Sequence, residues 1–401
     1  MKAVIRTSVQ HSSVVLGKPL LLWNLETLRD NGVDEVYLIG PKFEGEVAGI
    51  TIHSLKDPLL GSGGALSAVS KLIKSDFLYI PEPIYFNVDL ARFARFHKEA
   101  KSWLSILAGP VIPMAGSFLL RENENGKLVG GVLPDEKAVD DMNNLASYGL
   151  YLLSPSIFYF VGKEMTFDFV KDLLMPARTD GLVSICHTSE FVRPLKEKEA
   201  IEKAISSGLA EKRNLKNKQK AIFLDRDGTV NHFGDFVVKR DMMVLEQGAA
   251  EALRLINESE YLPIVVTNQP IVARGLTTIE ELEASHRRME VLLGREGAYI
   301  QDLYYCPHEM DKSQPWNASC DCRKPKIGML LKAQKRYNID FENSWMIGDT
   351  TQDVQTGINA HCHTALLLTG DPKPRKRFPE AEPDFETDYL LTAIRKILGK
   401  E

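Results

Sequence analysis

Short apolar runs alternate with amphipathic stretches in two series along the chain, and a charged segment separates the series. In the first series, residues 20–31 (LLLWNLETLRDN) carry apolar side chains at helical spacing until Gly32 ends the pattern. The run Glu35-Val-Tyr-Leu-Ile39 reads as a strand, and Phe77-Leu-Tyr-Ile80 and Ser105-Ile-Leu-Ala108 read as further buried strands. Such repeated strand–helix units predict a mainly parallel sheet covered on both faces. From about Pro194 to Lys220, Lys and Glu dominate, and this predicts a polar helix and linker with solvated faces. In the second series, Ala221-Ile-Phe-Leu224 is a strand ending at Asp225. Ile264-Val-Val266 ends at Thr267, Trp345-Met-Ile347 ends at Gly348-Asp349, and residues 365–368 form a fourth strand. Three strands thus deliver polar residues at their carboxyl ends, where open α/β sheets bind ligands.

Length turns this pattern into domains. At 401 residues the chain exceeds one ordinary core. The reading is two α/β domains, residues 1–205 and 219–401, joined by a polar linker at 206–218. A net charge of −5 argues against a nucleic-acid partner. No run approaches the roughly 18 apolar residues of a membrane span. The start Met1-Lys-Ala-Val-Ile-Arg6 lacks the features of a signal peptide. The expected location is the cytoplasm.

Two constellations carry chemistry. In Asp225-Arg-Asp-Gly-Thr229, Asp225 projects at the sheet edge and Asp227 reaches the same cavity. Gly228 permits a tight path, and Thr229 is placed to close the loop by hydrogen bonding. With Asp349 from a neighbouring strand end, three carboxylates converge, which requires a hard cation such as Mg²⁺. Thr267 offers a hydroxyl and Lys324 a point charge to a phosphate. These parts suit phosphate-monoester hydrolysis. The second constellation is Cys306, His308, Cys320 and Cys322. Three cysteines and a histidine in one loop read as a closed, structural Zn²⁺ site that aims Arg323 and Lys324. Cys186 and Cys362 lie in apolar surroundings and read as core thiols.

The motifs Phe223–Asn231 (FLDRDGTVN), Val265–Gln269 (VVTNQ), Ala273–Gly275 (ARG), Tyr304–His308 (YYCPH), Cys320–Pro325 (CDCRKP) and Gly348-Asp349 resemble the haloacid dehalogenase superfamily. More narrowly, over about residues 219–372, they resemble the D-glycero-D-manno-heptose 1,7-bisphosphate phosphatase and histidinol-phosphate phosphatase family. The resemblance implies Asp225 as nucleophile and Asp227 as general acid, then base. It implies Asp225, Asp227 and Asp349 as Mg²⁺ ligands and Thr267 and Lys324 as phosphate binders. Substrate contacts fall on Asn231, Asn268, Gln269, Arg274 and Arg323. Pro270-Ile271, Asp235-Phe236 and Thr350 depart from the family's pattern, the first two at substrate contacts.

The first half resembles sugar-phosphate nucleotidyltransferases over about residues 1–205. The resemblance rests on Gly17–Leu20 (GKPL), Asp34–Gly40 (DEVYLIG), Gly61–Leu66 (GSGGAL), Asn87–Leu90 (NVDL) and Tyr148–Pro155 (YGLYLLSP). It implies two doubly wound Rossmann-like domains, nucleotidyltransferase-like and then haloacid dehalogenase-like. The chemistry departs from the family. Arg6-Thr-Ser-Val-Gln-His11 has no glycine where backbone amides would cradle phosphates. Glu82-Pro83 and Arg193 stand where metal carboxylates belong, so nucleotidyl transfer is expected to be lost. Lys18, Glu136 and Lys137 resemble sugar-phosphate contacts. The partner expected is a small phosphorylated sugar, with heptose 1,7-bisphosphate favoured because its 1-phosphate product suits a nucleotidyltransferase. Histidinol phosphate, a bifunctional enzyme and a regulatory sugar-nucleotide-binding scaffold are the alternatives, and a polynucleotide 3′-phosphate fits the charge less well.

Overall fold

The structure, a computed structural model, describes residues 1–135, 139, 142–161, 166–176, 181–233, 237–309, 320–369 and 378–400. Glu136, Lys137, Asp235 and Phe236 lie outside the described residues. The chain divides into two units. One comprises Met1–Gly109, Ser117–Leu133 and Leu145–Lys216, and the other Pro110–Gly116, Pro134–Asn144 and Asn217–Glu401. The segment 206–216, expected as linker, groups with the first unit. The physical reason is burial: Ala210 packs with Ile201 and Ala204 against Val15, Leu20, Tyr85 and Phe191, and Leu215 is buried too.

The first unit is built on a nine-stranded sheet. Lys2–Arg6 pairs in parallel with Glu35–Ile39 and Phe77–Ile80, and Glu35–Ile39 with Thr51–Leu55. Leu104–Gly109 is parallel to Val183–His187. The long strand Ala146–Leu153 runs antiparallel to Phe77–Ile80 and Leu104–Gly109, and Leu119–Glu122 is antiparallel to Leu128–Val132. The sheet is therefore mixed rather than mainly parallel. Periodicity reports which face a side chain takes, not strand direction. The apolar runs are continuous because both faces are covered. Val4, Tyr37, Phe77 and Tyr79 join one core, and Ala3, Ile5, Val36, Leu78 and Ile80 join the other.

The second unit has a six-stranded, wholly parallel sheet. Its order is Asp302–Cys306, Tyr261–Asn268, Lys220–Leu224, Trp345–Gly348, His363–Leu367, Phe385–Thr387. The first and last were not read as strands from the sequence. They are edge strands with mostly half-exposed residues, so their apolar pattern is diluted. The chain enters at the centre, runs outward one way through Tyr261–Asn268, then returns to Trp345–Gly348 on the other side. The strand order therefore reverses beside Lys220–Leu224, and a crevice opens outside the carboxyl ends at such a point. Asp225 and Asp349 follow the two strands that flank it. Among the described residues no helix is long and apolar enough to cross a membrane.

Candidate active site

Asp225 leaves the fully buried run Ile222–Leu224, and its backbone N–H donates to Ile347 O of the neighbouring strand at 2.9 Å. That bond ties the two strand ends together. The turn after it closes on backbone bonds. Gly228 N–H donates to Asn231 O at 2.8 Å, and Val230 and Asn231 N–H both donate to Arg226 O at 2.9 and 3.0 Å. Thr229, expected to close the loop with its hydroxyl, does not do so: its buried Oγ1 has no partner among the described residues. Gly228 is required, since a Cβ there would stand 2.5 Å from Asp349 Oδ2, and its φ is +80°.

Lys324 is 2% exposed. Its Nζ lies 2.8 Å from Asp225 Oδ1 and 2.5 Å from Asp353 Oδ1. The carboxylates of Asp225, Asp349 and Asp353 come within 4.8 Å of one another. Three carboxylates against one ammonium leave two negative charges uncompensated, the complement of a divalent cation. The strain is visible in proton affinity. Desolvation, opposed by Lys324 and reinforced by Asp353, pushes Asp225 up to about 7. Desolvation, then Asp225 and Asp353, push Asp349 up to about 8. Burial disfavours the charge of Lys324, but Asp225 and Asp353 outweigh it and hold the ammonium well above its ordinary range.

Asp353 was not foreseen. It sits at the third position of helix Thr351–Ala360 and forms a capping box with Thr350, whose hydroxyl donates to Asp353 Oδ2 at 2.6 Å. The signal available in the sequence was Thr350-Thr-Gln-Asp353 directly after Gly348-Asp349. With Oδ1 on Lys324 and Oδ2 on Thr350, Asp353 braces the lysine. Asp225 and Asp349 are the carboxylates positioned for a cation.

The Asp227 carboxylate lies outside that group of three. Arg226 lies between the two aspartates in sequence, and its Nε and Nη2 donate to Asp227 Oδ1 at 3.1 and 2.8 Å. Asn231 Nδ2 reaches Asp227 Oδ1 at 3.0 Å, and Gln269 Nε2 reaches Oδ2 at 2.7 Å. Desolvation raises its proton affinity, yet the charge and hydrogen bonds of Arg226, with Asn231 and Gln269, hold it below the ordinary carboxylate value.

The expected substrate contacts divide. Asn268 is engaged with the lysine loop: its Oδ1 accepts from Lys324 N–H at 3.0 Å and its Nδ2 donates to Lys324 O at 3.2 Å. Gln352 Nε2 adds a bond to the same carbonyl at 2.5 Å. Gln269 is 2% exposed and ties Asp227 to Thr267, whose Oγ1 accepts at 2.9 Å. Asn231 is fully buried. These three amides thus hold Asp227, Lys324 and Thr267 in place. Arg274 and Arg323 remain at the rim. Arg274 pairs with Glu309 at 2.7 Å, and Arg323 Nη1 donates to His308 O at 2.8 Å.

Both arginines thus lean on the cysteine loop. Cys306 Sγ is 3.5 Å from His308 Nδ1 and 3.7 Å from Cys320 Sγ, and His308 Nδ1 is 3.3 Å from Cys322 Sγ. All four ligand atoms fall within 4.8 Å. A tetrahedral ion with Zn–S about 2.3 Å and Zn–N about 2.0 Å has edges of about 3.5–3.8 Å, so the set fits. Hydrogen bonding from Cys306, and less from Cys320 and His308, pulls Cys322 down to about 5 against its desolvation. Residues 310–319 of this loop lie outside the described residues.

A pH effect follows from the crowded carboxylates. Unfolded, Asp225 and Asp349 titrate near about 4; folded, they titrate at about 7 and about 8. The folded state binds more protons across that window, so cation-free protein loses stability as pH rises through it. Thermal unfolding in chelator is expected to show a lower Tm at pH 8 than at pH 5.5. Added Mg²⁺ should raise Tm more at pH 8, because it then displaces fewer protons. A chelated protein more stable at pH 8 would contradict this.

Comparisons with known proteins agree with the second unit. A family model described as "HAD-hyrolase-like" matches residues 321–393. The D-glycero-beta-D-manno-heptose-1,7-bisphosphate 7-phosphatase of Pasteurella multocida (strain Pm70) is 40% identical over 155 residues, covering 38% of this chain and 84% of that protein. The protein of the same name from Yersinia pestis is 37% identical over 176 residues, covering 43% and 90%. Among solved structures, the D,D-heptose 1.7-bisphosphate phosphatase from B. bronchiseptica complexed with magnesium and phosphate is similar at 30% identity and TM-score 0.41. It covers 46% of this chain and all of that one. HddC from Yersinia pseudotuberculosis is similar at 21% identity and TM-score 0.43, covering 52% and 99%. Sequence identity at this level, across most of the relatives' length, places the chain by its second unit in the family of heptose-bisphosphate phosphatases of the haloacid dehalogenase type.

Proposed function

We propose that the second unit hydrolyses a phosphate monoester through an aspartyl-phosphate on Asp225, and that its substrate is D-glycero-D-manno-heptose 1,7-bisphosphate, losing the 7-phosphate. The observation that carries the reaction is the meeting of Asp225, Asp349 and Lys324 at the sheet's switch point. An Asp225 oxygen attacks phosphorus as the bond to the sugar oxygen breaks, and Asp227 gives that oxygen its proton. A phosphate dianion beside Asp227 raises its proton affinity, which counters the hold of Arg226. Asp227 then takes a proton from the water that cleaves the aspartyl-phosphate. Lys324 neutralises charge on nucleophile and phosphoryl group, and Thr267 offers a hydroxyl to a phosphoryl oxygen. Mg²⁺, held by Asp225 and Asp349, would supply further positive charge to the phosphoryl oxygens. Zn²⁺ on Cys306, His308, Cys320 and Cys322 is structural, since four protein ligands leave no open position. Three thiolate ligands suit the reducing cytoplasm.

The substrate follows from the named relatives. Arg323 beside Lys324 supports it, as a guanidinium there suits a second phosphate, while Arg274 would first have to exchange its Glu309 partner. Phosphate release from heptose 1,7-bisphosphate, histidinol phosphate and a 3′-phosphorylated oligonucleotide, each with Mg²⁺ and with chelator, tests the reading. Release from the heptose bisphosphate should be fastest and should vanish in chelator. Preference for histidinol phosphate would move the substrate, and Mg²⁺-independent release would refute the site.

The first unit is proposed not to transfer a nucleotide. Instead of an anion-binding loop, residues 9–12 form a 3-10 turn capped by Ser8 with buried His11. Arg193 donates to Val192 O and pairs with Glu197 at 3.4 Å. Lys18 is held by Glu26 and lies over the Trp23 ring, 3.5 Å from its centroid, which leaves little of it for a ligand. Incubation with heptose 1-phosphate, each nucleoside triphosphate and Mg²⁺ should release no pyrophosphate. Turnover of about one per second, ordinary for an enzyme, would make the chain bifunctional.

A further inference from the structure

Arg226 is fully buried, yet no step of the proposed reaction uses it. Two of its three nitrogens grip Asp227, with Nη2 at 2.8 and 2.9 Å from the two carboxylate oxygens. The third, Nη1, lies 3.0 Å from His286 Nε2. A guanidinium has donors only, so Nε2 accepts and the imidazole is neutral, with its proton on Nδ1. His286 comes from the helix Ile279–Arg295 and is itself buried. Its ring rests against Tyr305, with centroids 5.3 Å apart and planes at 51°. The guanidinium plane is therefore fixed at both ends. A planar fork held by a carboxylate on one side and an imidazole on the other cannot pivot without leaving a buried donor unmatched. Asn231 and Gln269 approach Asp227 from two further segments, but each is a single bond to one oxygen. The bidentate Arg226 contact is the one that sets the carboxylate's plane.

We propose that His286 is a positioning residue for phosphoryl transfer: through Arg226 it fixes the orientation of the Asp227 carboxylate toward the leaving oxygen. The inference rests on the reading of Asp227 as general acid. It makes a demand that a purely structural contact does not. Loss of His286 slows formation of the aspartyl-phosphate in proportion to how much the leaving group needs a proton. A sugar alkoxide needs one; p-nitrophenolate leaves without one.

The test compares kcat/KM for a sugar phosphate and for p-nitrophenyl phosphate in His286→Leu, His286→Asn and His286→Gln. The amide of Gln can reach the Nε2 position and accept from Arg226, whereas Asn is too short and Leu has no acceptor. His286→Leu and His286→Asn are expected to lower sugar-phosphate kcat/KM by about tenfold to a hundredfold, the scale of misplaced acid catalysis. Their kcat/KM for p-nitrophenyl phosphate, which reports only the steps up to the aspartyl-phosphate, should stay within about threefold of wild type on the same scale. His286→Gln should restore most of the loss. The ratio of the two kcat/KM values is independent of the folded fraction, so partial misfolding cannot imitate the result. If the ratio is unchanged in Leu and Asn variants while wild type is active, the inference fails and the phosphatase reading stands. If wild type cleaves neither compound, both fail.

Discussion

Asp225→Asn is expected to lower phosphate release by at least about a thousandfold, the scale seen when a covalent nucleophile is removed. An amide oxygen is a far poorer nucleophile than a carboxylate, and Asp225 is the group that Lys324 neutralises at 2.8 Å. The fold should survive. The substitution removes one of three crowded carboxylates, and burial, reinforced by Asp353, already pushes Asp225 up to about 7. In chelator the variant should therefore melt no lower than wild type. Steady-state phosphate release and thermal unfolding check the two halves together. Turnover within about tenfold of wild type would remove Asp225 from the nucleophile's role; on the same scale, tenfold is far too little for loss of a covalent step.

Loss of the zinc ligands is expected to have the second largest effect. Purified protein should carry about one zinc per chain, as a closed set of four ligands implies. Cys320→Ser should lose most of it and reduce kcat/KM by about tenfold to a hundredfold, the range for disturbing groups that orient a site from outside it. The reasoning is mechanical. Arg323 Nη1 is anchored on His308 O at 2.8 Å, and Arg274 pairs with Glu309 one residue further on. Lys324 follows two residues after Cys322 and is held independently by Asn268, Gln352 and Asp353. The rim arginines should move and the lysine should not. KM should consequently rise more than kcat falls. Metal analysis and kinetics on the same preparation measure both. Zinc-free protein with full activity would contradict this account of the loop.

The parts of this site that the sequence made legible are those whose position follows from strand ends. Asp225, Thr267 and Asp349 each follow an apolar run, and parallel strands bring such residues to one edge. The cysteine loop was legible because few arrangements other than a metal site gather three thiols and an imidazole within 17 residues of one chain. What was not legible was which polar side chain faces the ligand and which faces its neighbours. Asn231, Asn268 and Gln269 lie in motifs that suggest substrate contact, but their amides also bond Asp227, Lys324 and Thr267. Asp353, Gln352 and His286 were missed because their partners are far away in sequence, and spacing alone carries no such information. In the first unit, strands were found where apolar runs are continuous. The antiparallel entry of Ala146–Leu153 had no local signature.

The central claim is a covalent phosphoryl intermediate on Asp225. It is tested most directly by mixing the protein with Mg²⁺ and heptose 1,7-bisphosphate, quenching within the first turnover, and treating with borohydride. Borohydride reduces an acyl phosphate to the alcohol, so residue 225 should be recovered as homoserine by peptide mass spectrometry. No other aspartate should be converted, and none at all without substrate. Phosphate release at full rate with residue 225 unmodified, or with another carboxylate converted in its place, would contradict the account.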